Sequence, residues 1–439
     1  MVFGRGTLGA MDNQRDPAGR RQVLSWALYD WANSAFATTV MAGFFPVFFK
    51  DFWSAGNTVS VSTFQLGATN SAASLVIVLI APVLGSIADR GGAKKRMLLS
   101  FAALGVLTTG GLYLVGHGRW ELAAALYGLG VIGFMGANVF YDALIVDVAG
   151  ERSFDQVSAL GYALGYLGGG LLFALNVLMT LWPDYFGLAD AASAVRLSFV
   201  SVAVWWALFS LPLILFVREP RRGRVAGWAA VGAGFRQLVA TFHEVRRLRV
   251  VFVFLVAYWL YIDGLDTIVR MSVDYGMALG FPQNSLIVAL LITQFVGFPA
   301  AIAFGLLGER LGAKTGILIG IGVYMAVTVF AYFMEAVWEF YALAIVVGLV
   351  QGGVQSLSRS YYARLIPADK SAEFFGFYNM LGKFAAVLGP ILMGLVSLTT
   401  GSPRLAILAV VVLFAAGAIL LTRVDETEGR RMARELERI

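Results

Sequence analysis

Residues 85–94 read Gly-Ser-Ile-Ala-Asp-Arg-Gly-Gly-Ala-Lys, and residues 305–314 read Gly-Leu-Leu-Gly-Glu-Arg-Leu-Gly-Ala-Lys. The two stretches share glycine, an acidic residue, arginine, glycine, alanine and lysine at the same offsets. They lie 220 positions apart in a chain of 439 residues. Each stretch ends the second of six apolar spans in its half and opens a short turn into the third. This spacing predicts a duplicated six-helix membrane unit.

The composition indicates an integral membrane protein. Hydrophobic residues make up 59% of the chain and charged residues only 14%, whereas ordinary soluble domains carry roughly 25% charged residues. Apolar runs of about 18 or more residues recur along the chain, and each is long enough to cross a bilayer. The net charge of +6 does not indicate a nucleic-acid-binding protein, because the positive residues lie in loops between the spans.

The hydropathy pattern predicts twelve membrane-spanning helices in two pseudo-symmetric six-helix bundles, an all-α fold. The predicted spans lie near residues 24–49, 62–88, 97–116, 121–147, 157–181, 195–217, 250–279, 285–307, 315–334, 339–362, 373–398 and 403–421. The two bundles are therefore expected at 24–217 and 250–421. They are flanked by a polar N-terminal tail (1–23), a basic linker with eight arginines (218–249) and a charged C-terminal tail (422–439).

The positive residues are distributed unequally between the two sides of the predicted membrane. If the N-terminus is cytoplasmic, 26 of the 33 lysines and arginines lie in cytoplasmic segments, four in outer loops and three inside spans. Because cytoplasmic loops carry an excess of Lys and Arg, we expect both termini in the cytoplasm and the protein in the cytoplasmic (inner) membrane. The N-terminal tail lacks the features of a secretory signal, and either Met1 or Met11 can start translation.

Cysteine chemistry and histidine-rich metal sites are excluded. The chain has no cysteine, and its two histidines, His117 and His243, fall in predicted loops. We therefore expect no metal, no cofactor and no enzymatic activity. An ATP-driven pump is also disfavoured, because the chain contains no Gly-x-x-x-x-Gly-Lys-[Ser/Thr] loop.

The repeated stretch resembles the loop signature of the major facilitator superfamily, Gly-x-x-x-Asp-Arg-x-Gly-x-Lys between helices two and three. A degenerate copy between helices eight and nine is also typical of that superfamily. The resemblance covers the whole chain, from the number of spans to the linker. It implies a secondary transporter that works by alternating access.

Both copies of the repeat hold residues that can form a gate. The first glycine lets two helices approach closely, and the acidic residue can accept hydrogen bonds from a neighbouring helix N-terminus. The arginine can pair with carboxylates across the gap between the halves. The simpler alternative is a tight turn with positive charges. The predicted gating residues are Gly85, Asp89, Arg90, Lys94, Gly305, Glu309, Arg310 and Lys314.

A narrower resemblance is carried by residues 26–36 (Trp-Ala-Leu-Tyr-Asp-Trp-Ala-Asn-Ser-Ala-Phe), 261–267 (Tyr-Ile-Asp-Gly-Leu-Asp-Thr) and 373–379 (Glu-Phe-Phe-Gly-Phe-Tyr-Asn). These stretches resemble a bacterial branch of the superfamily that is related to fungal vacuolar amino-acid effluxers. The chain departs from that pattern in span four, where Asp142 and Val146 replace the expected Asn and Pro. The resemblance implies export of an amino acid or another small zwitterionic metabolite.

Polar residues form stripes on spans one, four, seven and ten. A charge at the bilayer centre costs roughly 2.5–3.5 kcal/mol on insertion scales, so each such residue needs a reason. In the superfamily that the chain resembles, these four helices line the central cavity, where a deep lysine or arginine can hold an anionic or zwitterionic substrate. The predicted substrate-binding residues are Tyr29, Asn33, Asn138, Tyr141, Asp263, Thr267, Gln351, Gln355, Arg359, Asn379 and Lys383.

Carboxylates inside the spans are the predicted coupling groups for a proton or a sodium ion. A carboxylate that alternates between an apolar environment and a nearby cation binds and releases a proton as the carrier changes conformation. The candidates are Asp30, Asp263 and Asp266. Asp266 and Arg270 stand at i, i+4 and can instead neutralise each other. Asn33 and Asn379 can instead join helices through hydrogen bonds.

The sequence therefore predicts a monomeric secondary transporter for a small polar or zwitterionic metabolite. Export of an amino acid with proton coupling is the favoured activity. Its expected partners are the substrate, a coupling proton or sodium ion and the lipid bilayer, and not nucleic acid. A carrier of sugars, drugs or lysolipids is the alternative among transporters, and a membrane sensor without transport is the alternative from another class.

Overall fold

The computed structural model of the protein describes residues 17–219, 248–384 and 388–437. The predicted N-terminal tail and basic linker lie largely outside these ranges. Over the described ranges the chain is almost entirely helical and contains no strand. The predicted all-α class is therefore confirmed.

Twelve spans and one tail helix follow each other along the described chain. They are α1 (Pro17–Ala35), α2 (Val59–Gly91), α3 (Lys94–Gly111), α4 (Trp120–Ala143), α5 (Phe154–Leu181), α6 (Ala191–Phe216), α7 (Arg249–Ala278), α8 (Gln283–Leu311), α9 (Ala313–Phe333), α10 (Val337–Leu365), α11 (Ser371–Phe384 and Leu388–Thr400), α12 (Pro403–Ala409 and Val411–Thr422) and α13 (Glu426–Leu436). Eleven helices in the described part are long and apolar enough to cross a membrane. The remaining predicted span is α11, which is described in two parts.

The first span continues beyond α1 with a change of winding. Residues Phe36–Phe44 form a π-helix, and a short α-helical stretch, Phe45–Phe48, leads into a second π-helical segment, Phe49–Trp53. The helical segment therefore begins earlier and ends later than the predicted span 24–49. π-Helical turns are rare and lie frequently at functional sites.

The two halves of the chain form two bundles that meet along α2, α4 and α5 on one side and α8, α10 and α11 on the other. In the first bundle α1 packs on α5 and α6, and α3 packs on α4 and α6. In the second bundle α8 packs on α10, and α12 packs on α7 and α9. Between the bundles, α5 contacts α8 and α10, while α11 contacts α2 and α4. Helices of both repeats therefore enclose the central axis.

The eighth position of the repeat is glycine in both copies because the chain turns there with a positive φ. Gly92 has a φ of 54° at the end of α2, and Gly312 has a φ of 87° at the end of α8. Side chains are strained in this region of φ, and glycine is not. We call the end of the bundles that holds both turns the repeat end, and the other the opposite end. The tail helix α13 also lies at the repeat end, where Gly429 packs on Leu365.

Glycines on α5 let the first span approach closely. A Cβ atom at Gly165 would lie 2.6 Å from Ser34 Oγ, and one at Gly169 would lie 2.8 Å from Thr38 Oγ1. Since α5 is continuous from end to end, these glycines serve close helix packing.

Large apolar side chains are exposed around the outside of the bundles. Leu107 is 74% exposed, Leu215 is 68% exposed and Leu398 is 88% exposed. Contiguous apolar exposure is unusual against water and is the expected surface against lipid. The fold is therefore that of an integral membrane protein.

Candidate functional site

A polar cavity of about 310 Å³ lies between the two bundles, near the middle of the spans. Helices of both halves contribute its walls. Seven of the predicted substrate-binding residues line it, namely Asn33, Asn138, Tyr141, Gln351, Gln355, Arg359 and Asn379. Two of the predicted coupling carboxylates, Asp30 and Asp266, line it as well. The structure therefore brings together most of the polar stripes.

Arg359 reaches from α10 of the second half into the first half. Its Nε donates to Ser158 Oγ at 2.8 Å, and its Nη2 donates to the Ser158 carbonyl oxygen at 2.8 Å. Its Nη1 lies 3.1 Å from Asp142 Oδ1 and 3.5 Å from Asp30 Oδ2. A planar guanidinium suits this site because it presents several donors in fixed directions.

Aromatic rings of the first half surround the same guanidinium. Its carbon atom lies 4.5 Å from the ring centroid of Tyr162, 5.0 Å from that of Trp26 and 5.3 Å from that of Tyr141. Trp26 stacks on Tyr141 at 4.4 Å and donates from Nε1 to the Tyr141 carbonyl oxygen at 3.0 Å. The first half thus forms an aromatic pocket for a cation carried by the second half.

Asp30 lines the polar cavity and contacts the Arg359 guanidinium. Its Oδ2 accepts a hydrogen bond from Tyr141 OH at 2.9 Å, and its side chain is 14% exposed. One helical turn further, Asn33 Nδ2 donates to Asn138 Oδ1 at 2.6 Å within the first half. Asp30 is therefore held by a group from each half, while Asn33 joins two helices of the same half.

Asp142 of α4 contacts two helices of the other half. Besides the ion pair with Arg359, its Oδ2 accepts a hydrogen bond from Asn379 Nδ2 of α11 at 3.0 Å. The Asp142 side chain is 11% exposed, and it links α4 to α10 and α11.

Four predicted substrate-binding residues do not contribute described atoms to the polar cavity, and Tyr29 and Lys383 are the first two of them. Tyr29 is fully buried inside the first half, where its hydroxyl accepts a hydrogen bond from Trp206 Nε1 at 3.3 Å. Lys383 lies on α11 one position after the cavity-lining Gly382, and its side chain is outside the described part of the structure.

Asp263 and Thr267 lie behind the cavity, against α11. Asp263 accepts hydrogen bonds from the backbone N–H of Leu388 at 3.0 Å and of Gly389 at 2.9 Å. Thr267 Oγ1 donates to the same carboxylate at 3.3 Å. Asp263 therefore satisfies the first amides of the second part of α11, where a helix favours negative charge.

A second cavity, of about 390 Å³, adjoins the polar one towards the opposite end. Most of its walls are apolar side chains, among them Phe44, Phe173 and Phe340. This cavity has no signal in the sequence, because its walls come from five helices whose apolar faces resemble ordinary packing surfaces.

The first copy of the repeat closes the repeat end against α11. The Asp89 carboxylate accepts hydrogen bonds from the backbone N–H of Ala372 at 3.1 Å and of Glu373 at 2.9 Å. A Cβ atom at Gly85 would lie 2.7 Å from the Ala372 carbonyl carbon. These contacts match the two roles that the sequence suggested for a glycine and an acid in this loop.

Lys94 is buried in the same interface. Its Nζ donates to Asp147 Oδ2 at 2.8 Å and to Ser371 Oγ at 2.7 Å, and it lies 3.5 Å from Asp89 Oδ1. Its side chain is 4% exposed. The side chain of Arg90, which the sequence analysis also assigned to the gate, lies outside the described residues.

The second copy of the repeat contacts α5 differently. Gly305 faces Ala159, whose Cβ would lie 2.5 Å from a Cβ atom at the glycine. Glu309 Oε2 accepts a hydrogen bond from the side chain of Gln156 at 2.5 Å, and no backbone amide of the described residues donates to it. Arg310 is exposed and has no ion pair with any residue in the described ranges.

The repeated lysine has a different role in each half. Lys314 Nζ donates to two carbonyl oxygens at the end of α12, both at 2.8 Å. In the first half it is Lys95 that does this, donating to carbonyl oxygens at the end of α6. Lys314 is therefore the structural counterpart of Lys95, although the sequence repeat aligns it with Lys94.

A second buried ion pair between the halves was missed in the sequence. Arg364 of α10 binds Asp155 of α5 through two contacts, Nη2 to Oδ2 at 2.7 Å and Nη1 to Oδ1 at 2.9 Å. Ser360 also donates to Asp155. Because α5 begins earlier than residue 157 and α10 ends later than residue 362, the predicted span bounds leave both charges in loops.

Comparisons with known proteins point to one family. The family described as "Vacuole effluxer Atg22 like" matches residues 53–434. YxiO of Bacillus subtilis (strain 168), an uncharacterized MFS-type transporter, is 40% identical over 408 residues, which cover 92% of this chain and 95% of that protein. Autophagy-related protein 22 of Yarrowia lipolytica (strain CLIB 122 / E 150) is 25% identical over 470 residues, covering 87% of this chain and 78% of that protein.

The fold is also that of solved transporters. The MFS proton:xylose symporter XylE, bound to 6-bromo-6-deoxy-D-glucose, matches with a TM-score of 0.70 at 13% identity, over 98% of this chain and 99% of that chain. At this identity the likeness concerns the fold alone. The predicted twelve-helix arrangement of two six-helix bundles is confirmed.

Proposed function

We propose a specific transport activity for this chain, which belongs to the Atg22-like vacuole effluxer family of major facilitator transporters. Its relatives are carriers and not enzymes. The proposed cargo is a small polar or zwitterionic metabolite, with an amino acid as the favoured candidate. The proposed process is alternating access, with export coupled to protons.

The polar cavity supports a zwitterionic cargo. Its volume of about 310 Å³ fits a solute of amino-acid size, and its walls carry both a guanidinium and carboxylates. Arg359 can bind a carboxylate of the cargo, and Asp30 can accept hydrogen bonds from an ammonium group. Asn138 and Gln355 add neutral donors and acceptors.

The observation that carries the proposal is the contact of Arg359 with Asp30 and Asp142 across the two halves. This contact requires the halves to be closed at the repeat end. When they separate there, Arg359 leaves the pocket of the first half, and the two carboxylates lose their cation. A carboxylate in such surroundings binds a proton more readily. Protonation of Asp30 would thus accompany opening of the repeat end.

The closure of the repeat end supports an assignment of the two ends of the bundles to the two sides of the membrane. The repeat end is closed by buried ion pairs, while the apolar cavity extends the polar one towards the opposite end. With both termini in the cytoplasm, as the distribution of Lys and Arg favours, this is a state that faces outward. Localisation in the inner membrane follows from the same assignment.

A carrier of amphiphiles is the second candidate. It is favoured by the apolar cavity of about 390 Å³ beside the polar one, which can take an acyl or aromatic group. Such a cargo would place its charged group near Arg359 and its apolar group towards Phe173 and Phe340.

The first test is a thermal-shift screen of the purified protein against amino acids, peptides, sugars and amphiphiles at two pH values. A ligand that binds only the folded carrier raises its Tm by mass action. We expect one amino-acid class to raise Tm in a pH-dependent way. Shifts with sugars or amphiphiles alone would contradict the proposed cargo.

The second test is uptake of that ligand into proteoliposomes driven by a pH gradient. We expect Asp30→Asn to exchange ligand across the membrane without accumulating it, because an amide cannot carry the proton. Asp184→Asn is the matched control, since Asp184 lies in an exposed loop outside the cavity. Accumulation by Asp30→Asn at the parent level would overturn the coupling role.

A further inference from the structure

Four residues border both the polar and the apolar cavity with hydroxyl or amide groups. They are Thr38 of the first span, Tyr166 of α5, Gln294 of α8 and Gln351 of α10. We call this set the collar. It draws two residues from each half, so any solute that passes between the cavities has to pass it.

A hydrogen bond closes the collar between the halves. Gln294 Nε2 donates to Thr38 Oγ1 at 3.1 Å. Both partners are held by glycines of α5, since Cβ atoms at Gly169 and Gly170 would lie 2.8 Å from Thr38 Oγ1 and 3.1 Å from Gln294 Cβ. The bond is therefore part of a tightly packed constriction.

The ring of Tyr166 completes the constriction from α5. It lies against two glycines of the second half, because Cβ atoms at Gly297 and Gly352 would lie 2.9 Å and 2.6 Å from it. Its hydroxyl points towards Gln355 Oε1 at 3.5 Å. Larger residues at these glycines would collide with the ring in its present position.

One hydrogen-bond acceptor in the collar has no donor among the described residues. Gln351 Oε1 is buried and has no hydrogen-bond partner within the described residues. Buried acceptors are nearly always satisfied, so an exception calls for an explanation. Thr38 also lies in the π-helical segment Phe36–Phe44, a winding that is frequent at functional sites. Two independent features thus mark the same place.

We propose that the collar is a selectivity step for solutes moving between the two cavities. A solute from the opposite end reaches the polar cavity only by opening the Gln294–Thr38 bond. The Gln351 carbonyl then accepts an N–H or O–H of the solute as it passes. Solutes without such a donor pass the collar more slowly. The proposal rests on the transport function proposed above, but its test does not require a known substrate.

The absence of cysteine in the natural chain allows a direct test. Ser34→Cys places a thiol in the polar cavity, and Ala42→Cys places one in the apolar cavity. The purified protein in lipid nanodiscs is treated with 2-(trimethylammonio)ethyl methanethiosulfonate, and the labelling rate of each thiol is measured. The Ala42→Cys rate reports access to the apolar cavity alone.

Opening the collar should increase the labelling rate of the Ser34→Cys thiol in the polar cavity. We expect Thr38→Val to raise the Ser34→Cys rate roughly 3- to 10-fold, the change that loss of one hydrogen bond implies, and to leave the Ala42→Cys rate unchanged. Thr38→Ser should keep the parent rate. Thr39→Val is the matched control, because Thr39 is fully buried and its hydroxyl has no partner among the described residues.

The role of Gln351 is tested with a pair of reagents of equal charge. The 2-aminoethyl reagent carries N–H donors, and the trimethylammonio reagent does not. The preference is the ratio of the aminoethyl rate to the trimethylammonio rate at Ser34→Cys, divided by the same ratio at Ala42→Cys. We expect this preference to favour the aminoethyl reagent in the protein that is otherwise unchanged. Gln351→Met should lose at least about half of it.

The barrier at the collar and its selectivity can each be disproved without disproving the transport function. An unchanged Ser34→Cys rate in Thr38→Val, or an equal increase in Thr39→Val, would remove the collar as a barrier. An unchanged reagent preference in Gln351→Met would remove the selectivity. Neither result depends on which solute the protein transports.

Discussion

The Arg359 guanidinium of the second half lies 3.5 Å from the Asp30 carboxylate of the first half. The two side chains are 2% and 14% exposed, so the contact is largely buried. Asp142 contacts the same guanidinium at 3.1 Å. Because this one guanidinium contacts two buried carboxylates, its removal takes away a positive charge that stabilises both of them.

We expect Arg359→Met to lower the free energy of unfolding by about 3–5 kcal/mol, the usual effect of breaking a buried ion pair from one side. Arg359→Lys should cost less, because it keeps the charge but loses the contacts of the planar group with Ser158. The measurement is the Tm of each variant in detergent.

The control for this prediction is the double variant Arg359→Met with Asp142→Asn. If the loss comes from uncompensated charge, removing one carboxylate should restore part of the Tm. A double variant that is less stable than Arg359→Met would instead assign the loss to packing against Tyr162 and Trp26.

Gly85 is predicted to be intolerant of even one added methyl group. A Cβ atom there would lie 2.7 Å from the Ala372 carbonyl carbon and 2.9 Å from Glu373 Cα, which are backbone atoms of the first turn of α11. We expect Gly85→Ala to destabilise the closed repeat end by about 1–3 kcal/mol, as overpacking does, and to lower Tm.

Gly67 on the same helix provides the matched control for Gly85. A Cβ atom at Gly67 would meet nothing within 4 Å. Gly67→Ala should therefore leave Tm unchanged or raise it slightly, because alanine favours helix over glycine by about 1 kcal/mol. Equal losses at both positions would show that helix packing at Gly85 is not the cause.

Two carboxylates near the N-terminus of α5, Glu151 before it and Asp155 in its first turn, are predicted to differ in how much they stabilise the protein, because they differ in burial. Asp155 is 5% exposed and binds Arg364 through two contacts. Glu151 is 52% exposed and lies 3.4 Å from Arg434 of the tail helix. We expect Asp155→Asn to cost about 3 kcal/mol and Glu151→Gln less than about 1 kcal/mol.

The measurement for this pair is Tm at low and at high salt. The small effect of Glu151→Gln should vanish at high salt, since exposed pairs are screened. The effect of Asp155→Asn should persist. A large loss from Glu151→Gln would mean that the tail helix holds the two halves together more strongly than exposed charges account for.

Much of the fold could be predicted because membrane spans are long apolar runs that a single sequence displays directly. The bounds of the spans were less accurate at the repeat end, where α5 and α10 extend into charged sequence. Asp155 and Arg364 were missed there, since a charge inside a helix at an interface resembles a charge in a loop until the partner helix is known.

The candidate site was predicted in part. Gln351, Gln355 and Arg359 stand at helical spacing on span ten, and the structure places them on one cavity with Asn33 of span one. Asp263 belongs to the polar stripe of span seven but faces the start of the second part of α11. The spacing predicts which residues share one face of a helix. What that face contacts depends on how the other helices pack.

The sequence by itself determined the class of the protein, its number of spans, its duplication and the turns at Gly92 and Gly312, because each of these depends on local hydropathy or backbone geometry. Only the tertiary structure decided which charges meet. Arg359 and Asp30 lie more than 300 positions apart in the sequence, and no local pattern links them. They are neighbours because the two bundles close at the repeat end, where burial makes each charge require the other.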